Sequence, residues 1–167
     1  LRERVRVIAS GKILTGFDIV RALALGADLC NSARGMMLAL GCIQSLRCNT
    51  NRCPTGVTTL DPALMYGLDV TDKSARVAAY HTATVRGCLH LAAAMGLEHP
   101  ADVRPHHLFR RVDDLLVRNM SELYDFLEPG QLLDDRGVPE GYRREWRESR
   151  PDAWTLSATR CSRSALA

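Results

Sequence analysis

"VIASGKILTGFDIVRALALGADLCNSARG", residues 7–35, decides the fold. The run Arg4–Ala9 that leads into it is rich in β-branched residues and predicts a short buried strand. Ser10–Gly11–Lys12 is a turn signal that stops the strand. A helix is expected next: Thr15 can cap it with Asp18 three residues on, and Ile19, Val20, Leu23, Ala24 and Ala27 recur on one face. Gly26 is placed to end it. Asp28–Ser32 predicts a second short strand, Ala33–Arg34–Gly35 a second turn, and Met36–Leu40 a further apolar helical segment. Strand, helix, strand, helix makes a right-handed βαβα unit with parallel strands. A parallel pair needs cover on both faces, so the unit is expected to be the tail of something larger. The opening "LRERVRVIAS", which has no initiator Met and enters a strand almost at once, fits a fragment.

Composition narrows the function classes. A chain of 167 residues can form one domain with a real core, and a formal charge of +3 without dense basic runs does not indicate nucleic acid or an anionic membrane. The arginines of residues 142–150 have only Tyr142 and Trp146 among them and read as a solvated helix face. No apolar run approaches the roughly twenty residues of a membrane span, and the start is no signal peptide. The six cysteines sit in a chain larger than the small disulfide scaffolds, so the expected compartment is the reducing cytoplasm, where clustered thiols point to metal or redox chemistry.

Beyond residue 48 the chain is expected to loop over Asn49–Asp72, then to form a long helix over Lys73–Gly96 with Val77, Val85, Leu89 and Ala92 on one side. A connector follows, then amphipathic helical turns that use Leu115, Leu116, Leu123, Phe126 and Leu127. The domain plan is a barrel end with its cysteine loop over 1–60, a helical extension over 61–150 and a disordered tail over 151–167.

Two loops follow the two strands, and each pairs a glycine with a cation: Ser10–Gly11–Lys12 and Ala33–Arg34–Gly35. The loops after the last two strands of a (β/α)8 barrel often hold a phosphate, because glycine lets backbone N–H groups approach the anion. The plain alternative is a pair of ordinary turns.

The second motif is "ALGCIQSLRCNTNRCPTGV", residues 39–57, with Cys42, Cys48 and Cys53 spaced C-x5-C-x4-C and followed by Pro54. Paired C-x2-C knuckles of a zinc site are missing, although His81 or His90 could supply a fourth ligand. A cuboidal iron–sulfur cluster that lacks one iron needs only three thiolates, and the polar segment between Cys48 and Cys53 can offer N–H groups to the sulfides. Unligated burial is the remaining alternative, and it is the simplest reading for Cys30 in a strand and Cys88 in a helix. Cys161, in the tail, is assigned no role.

These residues carry a family resemblance. The segment from Val5 to Pro62, and "ALGCIQSLRCNTNRCPTGVTTLDP" above all, resembles the cluster loop and preceding strands of glutamate synthases, and is most similar to the shorter flavoproteins of that group that lack a fused glutaminase. The resemblance implies an α/β fold: strands seven and eight of a (β/α)8 TIM barrel, an iron–sulfur loop and a mainly helical C-terminal extension. It implies a [3Fe-4S] cluster on Cys42, Cys48 and Cys53, and FMN with its phosphate among Ser10, Gly11, Lys12, Ala33, Arg34 and Gly35. The large enzymes have Asp-Gly-Gly at Ser10–Lys12 and Gly-Thr at Ala33–Arg34, so side-chain charge would here replace close backbone approach. The implied reaction forms L-glutamate from 2-oxoglutarate and ammonia through 2-iminoglutarate, with electrons from a donor such as a reductase subunit or ferredoxin. No residue of this stretch is expected to serve as the catalytic proton donor, and the segment alone is expected to be inactive. A related FMN barrel with another substrate, a non-catalytic remnant and a small iron–sulfur electron-transfer module are the alternatives.

Overall fold

The structure, a computed structural model, describes residues 2–149, 151 and 152. It is a mixed α/β chain that divides into two compact units, Leu1–Met120 and Ser121–Ala167.

The first unit opens on the expected alternation. Strand β1 (Ile8–Ser10) leads to helix α1 (Gly16–Ala24), strand β2 (Leu29–Asn31) and helix α2 (Arg34–Ala39). β1 and β2 pair in parallel with Ser10 opposite Asn31, so both strands end at the same level and their following loops emerge side by side. The first strand is shorter than Arg4–Ala9 predicts, because Arg2–Arg4 forms a 3-10 turn and only Ile8–Ser10 has a ladder partner. Asp28 bridges the entry to β2 by accepting from the Val7 N–H at 2.7 Å and pairing with Arg2 at 2.9 Å. The Arg2 hydrogen bond, helped by Val7, holds this carboxyl below its ordinary range.

Helix α1 has the predicted start. Thr15 accepts from the Asp18 N–H at 3.3 Å, while Asp18 Oδ2 accepts from the N–H groups of Leu14 and Thr15 at 3.1 and 2.9 Å. The helix packs mainly on α4 (Val70–Ala94), where Val20 and Ala24 are buried. The α4 face that does the packing overlaps the predicted one only in part. Ala92 is buried as expected and Cys88 is buried beside it, whereas Val85 and Leu89 remain 40% and 48% exposed. The reason lies in Gly16: a Cβ there would overlap the Cys88 backbone nitrogen and sit 2.9 Å from the Thr84 oxygen. Backbones this close leave room only for small side chains at the crossing. Cys88 therefore behaves as the expected small apolar residue, and Cys30 is half-buried in β2.

A short helix, α3 (Pro62–Met65), interrupts the expected 49–72 loop. Asp61 caps it by accepting from Ala63, and Pro62 starts it, a signal visible in the sequence. The region expected to form amphipathic turns contains instead a hairpin, β3 (Phe109–Arg111) with β4 (Val117–Asn119), antiparallel, with Phe109 opposite Asn119. Asp113 shapes its tip by accepting from Leu115 and Leu116, both at 2.9 Å. Only α5 (Met120–Leu123) is helical there.

The second unit holds two 3-10 turns and helix α6 (Glu140–Glu148). Tyr142 donates to the Asp125 carbonyl at 2.9 Å, and Gln131 donates to Gly137 at 3.0 Å. α6 is the solvated arginine helix expected, with no buried residue. The expected disordered tail, apart from residues 151 and 152, and Cys161 lie outside the described residues. Among the described residues no helix is long and apolar enough to cross a membrane.

Candidate functional site

The loop after β1 turns sharply, with Gly11 at φ +89° and Lys12 at φ +57°. A left-handed lysine is uncommon, since its Cβ crowds the backbone. Past the last ladder pair, Ser10 with Asn31, the turn leaves the N–H groups of Lys12 and Ile13 without an acceptor among the described residues. The next two N–H groups, of Leu14 and Thr15, are spent on Asp18. Burial raises the Asp18 carboxyl, but the Thr15 hydroxyl, those two N–H groups and Arg21 outweigh it and hold the group below its ordinary range.

The loop after β2 joins this one directly. Ser32 Oγ donates to the Ile13 carbonyl at 2.6 Å. Ala33 gives α2 no side-chain cap, so the first amides of that helix are not closed off as those of α1 are. Lys12 and Arg34 are exposed and form no ion pair among the described residues. Gly35 is different in kind: it is buried, and a side chain on it would overlap the Tyr80 hydroxyl. Its missing Cβ admits the long helix. Unspent amides and two unpaired cations fit a phosphate group in charge and hydrogen-bonding capacity.

The cysteine loop is wound from left-handed residues. Gly41, Gln44, Leu46, Asn51 and Gly56 all have positive φ, between 56° and 101°. Every non-glycine residue with such backbone among the described ones, Lys12, Gln44, Leu46 and Asn51, falls in the β1 loop or the cysteine loop. Left-handed residues of this kind recur in the backbone concavities that receive anions and iron–sulfur clusters. Asn51 anchors the far side by accepting from Leu60 at 2.6 Å, and Thr59 donates to its carbonyl at 2.7 Å.

The three sulfurs have different surroundings. Cys53 is buried at 6% exposure, and its Sγ stands 3.4 Å from the Thr55 hydroxyl. That hydroxyl, then the N–H groups of Thr58 and Thr55, bring its pKa down to about 6. The Thr58 hydroxyl is buried and makes no hydrogen bond of good geometry, yet its dipole adds to the same effect. Cys42 is half-buried and accepts from the Gln44 N–H at 3.4 Å, while Cys48 is exposed. Among the described residues no three His, Cys, Asp or Glu side chains stand close enough to hold a metal ion, so the thiols do not converge in this state. His81 and His90 join no such group. The donor chemistry fits an iron–sulfur centre; convergence of the three thiols is what the geometry lacks.

Sequence reasoning missed Tyr80 and Ser32, which tie these loops to the fold. Neither belongs to a motif; Ser32 was read only as the end of a strand, and no spacing rule links Tyr80 to Leu14 across 66 positions.

Comparison with known proteins bears on the same stretch. The family described as "Conserved region in glutamate synthase" matches residues 1–98, which span both strand loops and Cys42, Cys48 and Cys53. The chain is 45% identical over 123 residues to the glutamate synthase large subunit-like protein YerD of Bacillus subtilis, a match covering 74% of the chain and 23% of that protein. It is 37% identical over 97 residues to the archaeal glutamate synthase [NADPH] of Methanocaldococcus jannaschii, covering 58% of the chain and 19% of the relative. It is 32% identical over 141 residues to the chloroplastic ferredoxin-dependent glutamate synthase 2 of Arabidopsis thaliana, covering 84% and 8%. The chain thus spans less than a quarter of the length of these relatives. With that share of its own length matched, the chain belongs to the glutamate synthase family.

Proposed function

We propose that this chain forms part of the FMN- and iron–sulfur-binding region of a glutamate synthase-type oxidoreductase. In this reading β1 and β2 are the last two strands of a (β/α)8 barrel. Their exposed apolar residues support it: Ile8 and Leu29 are 53% and 55% exposed, on a parallel pair of the kind that is ordinarily covered on both faces.

The observation that carries the proposal is the confinement of left-handed non-glycine backbone to the two loops that would hold the cofactors. Such strain costs about 1–3 kcal/mol per residue and persists where function demands it. Lys12 and Ile13 would donate their N–H groups to the FMN phosphate, with Lys12 and Arg34 adding charge and Ser10, Gly11, Ala33 and Gly35 completing the two turns. Cys42, Cys48 and Cys53 would ligate a [3Fe-4S] cluster, with the hydroxyl and amide donors around Cys53 favouring its thiolate. When bound, the two groups supply a hydride for reduction of 2-iminoglutarate, formed from 2-oxoglutarate and ammonia, to L-glutamate, and a one-electron path from an external donor such as ferredoxin or a reductase subunit. The residues of this chain hold and orient; no side chain among them is assigned proton transfer.

The test is anaerobic purification of the intact polypeptide that carries these residues. The expected product is brown and contains FMN and about three iron atoms per chain. A colourless protein free of iron and flavin overturns the proposal. Loaded protein that fails to convert 2-oxoglutarate and ammonia, given a chemical reductant, favours a related FMN barrel with another substrate.

A further inference from the structure

We infer that Tyr80 is a positioning residue for the phosphate loop, acting from α4 on two loops at once. The inference rests on the phosphate reading above and deepens it.

Tyr80 lies within the 25-residue helix α4, half-buried, and its hydroxyl donates to the Leu14 carbonyl at 2.6 Å. Ser32 donates to the preceding carbonyl, that of Ile13, at 2.6 Å. Each peptide unit is planar, so a carbonyl and the N–H across the same bond cannot turn independently. On the far side of these two planes lie the N–H groups of Leu14 and Thr15, and both are held by Asp18 Oδ2. Two consecutive peptide planes are therefore clamped at both ends. The clamp fixes the chain immediately after Lys12 and Ile13, whose N–H groups are the unspent ones.

The same two hydroxyls set the second loop. A Cβ on Gly35 would overlap the Tyr80 oxygen and lie 2.7 Å from Ser32 Oγ. Helix, first loop and second loop thus meet at one point, and the spacing between the loops is set by a phenol that sits where a side chain would otherwise begin. A loop held this way meets an anion without a further ordering cost, which is where affinity for a small charged group is gained or lost. The Tyr80 ring touches neither flavin nor substrate in this scheme; its effect passes through the Leu14 carbonyl.

The experiment compares FMN with riboflavin, which lacks the phosphate, by fluorescence titration of the flavin-stripped intact protein. Tyr80→Phe keeps the ring and removes the oxygen. Affinity for FMN is expected to fall on the order of tenfold while riboflavin binding stays within about twofold. Ser32→Ala, which removes one oxygen from the other clamp, is expected to give the same selective loss and carries the test if Tyr80→Phe fails to fold. Equal losses for the two ligands, or none, overturn the positioning role. A parent protein that binds FMN no better than riboflavin overturns the phosphate reading itself, and the inference falls with it.

Discussion

Gly16 lies so close to Cys88 that any side chain on it would overlap the Cys88 backbone nitrogen. The crossing of α1 and α4 is therefore set by backbone meeting backbone. Gly16→Ala should force the helices apart and lower stability by about 2 kcal/mol, read as a drop in thermal midpoint. Gly87 offers the control: its nearest contact for an added methyl is Gly16 Cα at 3.7 Å, ordinary packing. Gly87→Ala should be neutral or gain up to about 1 kcal/mol from helix propensity. Equal losses in both variants would mean that the close approach is not what limits the crossing.

Asp18 makes stability depend on pH at one helix end. Its native pKa lies below the ordinary 3.8, because the donors around it outweigh its burial. A depressed carboxylate contributes fully above the unfolded value and loses that contribution as pH falls through the native one. Asp18→Ala should therefore cost about 1 kcal/mol near pH 7. The gap from the parent should narrow below pH 3.8, as unfolding curves over a pH series will show. A gap that stays constant down to strong acid would remove the charge from the account.

Cluster ligation separates the cysteines into two groups. Cys48→Ala in the intact protein should abolish the paramagnetic signal of an oxidised three-iron centre and strip most of the iron, while bound FMN remains. Cys30→Ala should leave iron content unchanged, because burial raises the Cys30 thiol and keeps it protonated in β2. Survival of the signal in Cys48→Ala would break the ligand assignment.

The charges of the strand loops predict a salt effect. Lys12→Ala and Arg34→Ala should each weaken FMN about fivefold at low ionic strength, with little change for riboflavin. Added salt should shrink the difference, since both side chains are exposed. Titrations at low and high salt check this, and a loss of riboflavin binding of the same size would point to general disruption.

Local chemistry made the first forty residues legible. Thr15 with Asp18, Gly26 and the two short apolar runs each act within a few positions, and the βαβα order follows from them. The cysteine spacing and the two glycine–cation turns were equally plain. What escaped was decided at a distance. Val117–Asn119 is a strand because Phe109–Arg111 lies beside it, and its own residues suit a helix nearly as well. On α4 Ala92 is legible as a buried residue, but the burial of Cys88 in place of Val85 and Leu89 is not, because a glycine 72 positions from Cys88 dictates it. Tyr80 belonged to no motif, since a phenol announces its carbonyl partner only once the chain has folded.

The uncovered apolar faces of β1 and β2 have a consequence for handling the protein. Expressed without neighbours, this piece would present bare greasy ladders and open strand edges, an invitation to stacking between molecules. Production schemes that trim the polypeptide to this stretch should yield aggregates or chaperone-bound material, so spectroscopic work belongs on the untrimmed gene product.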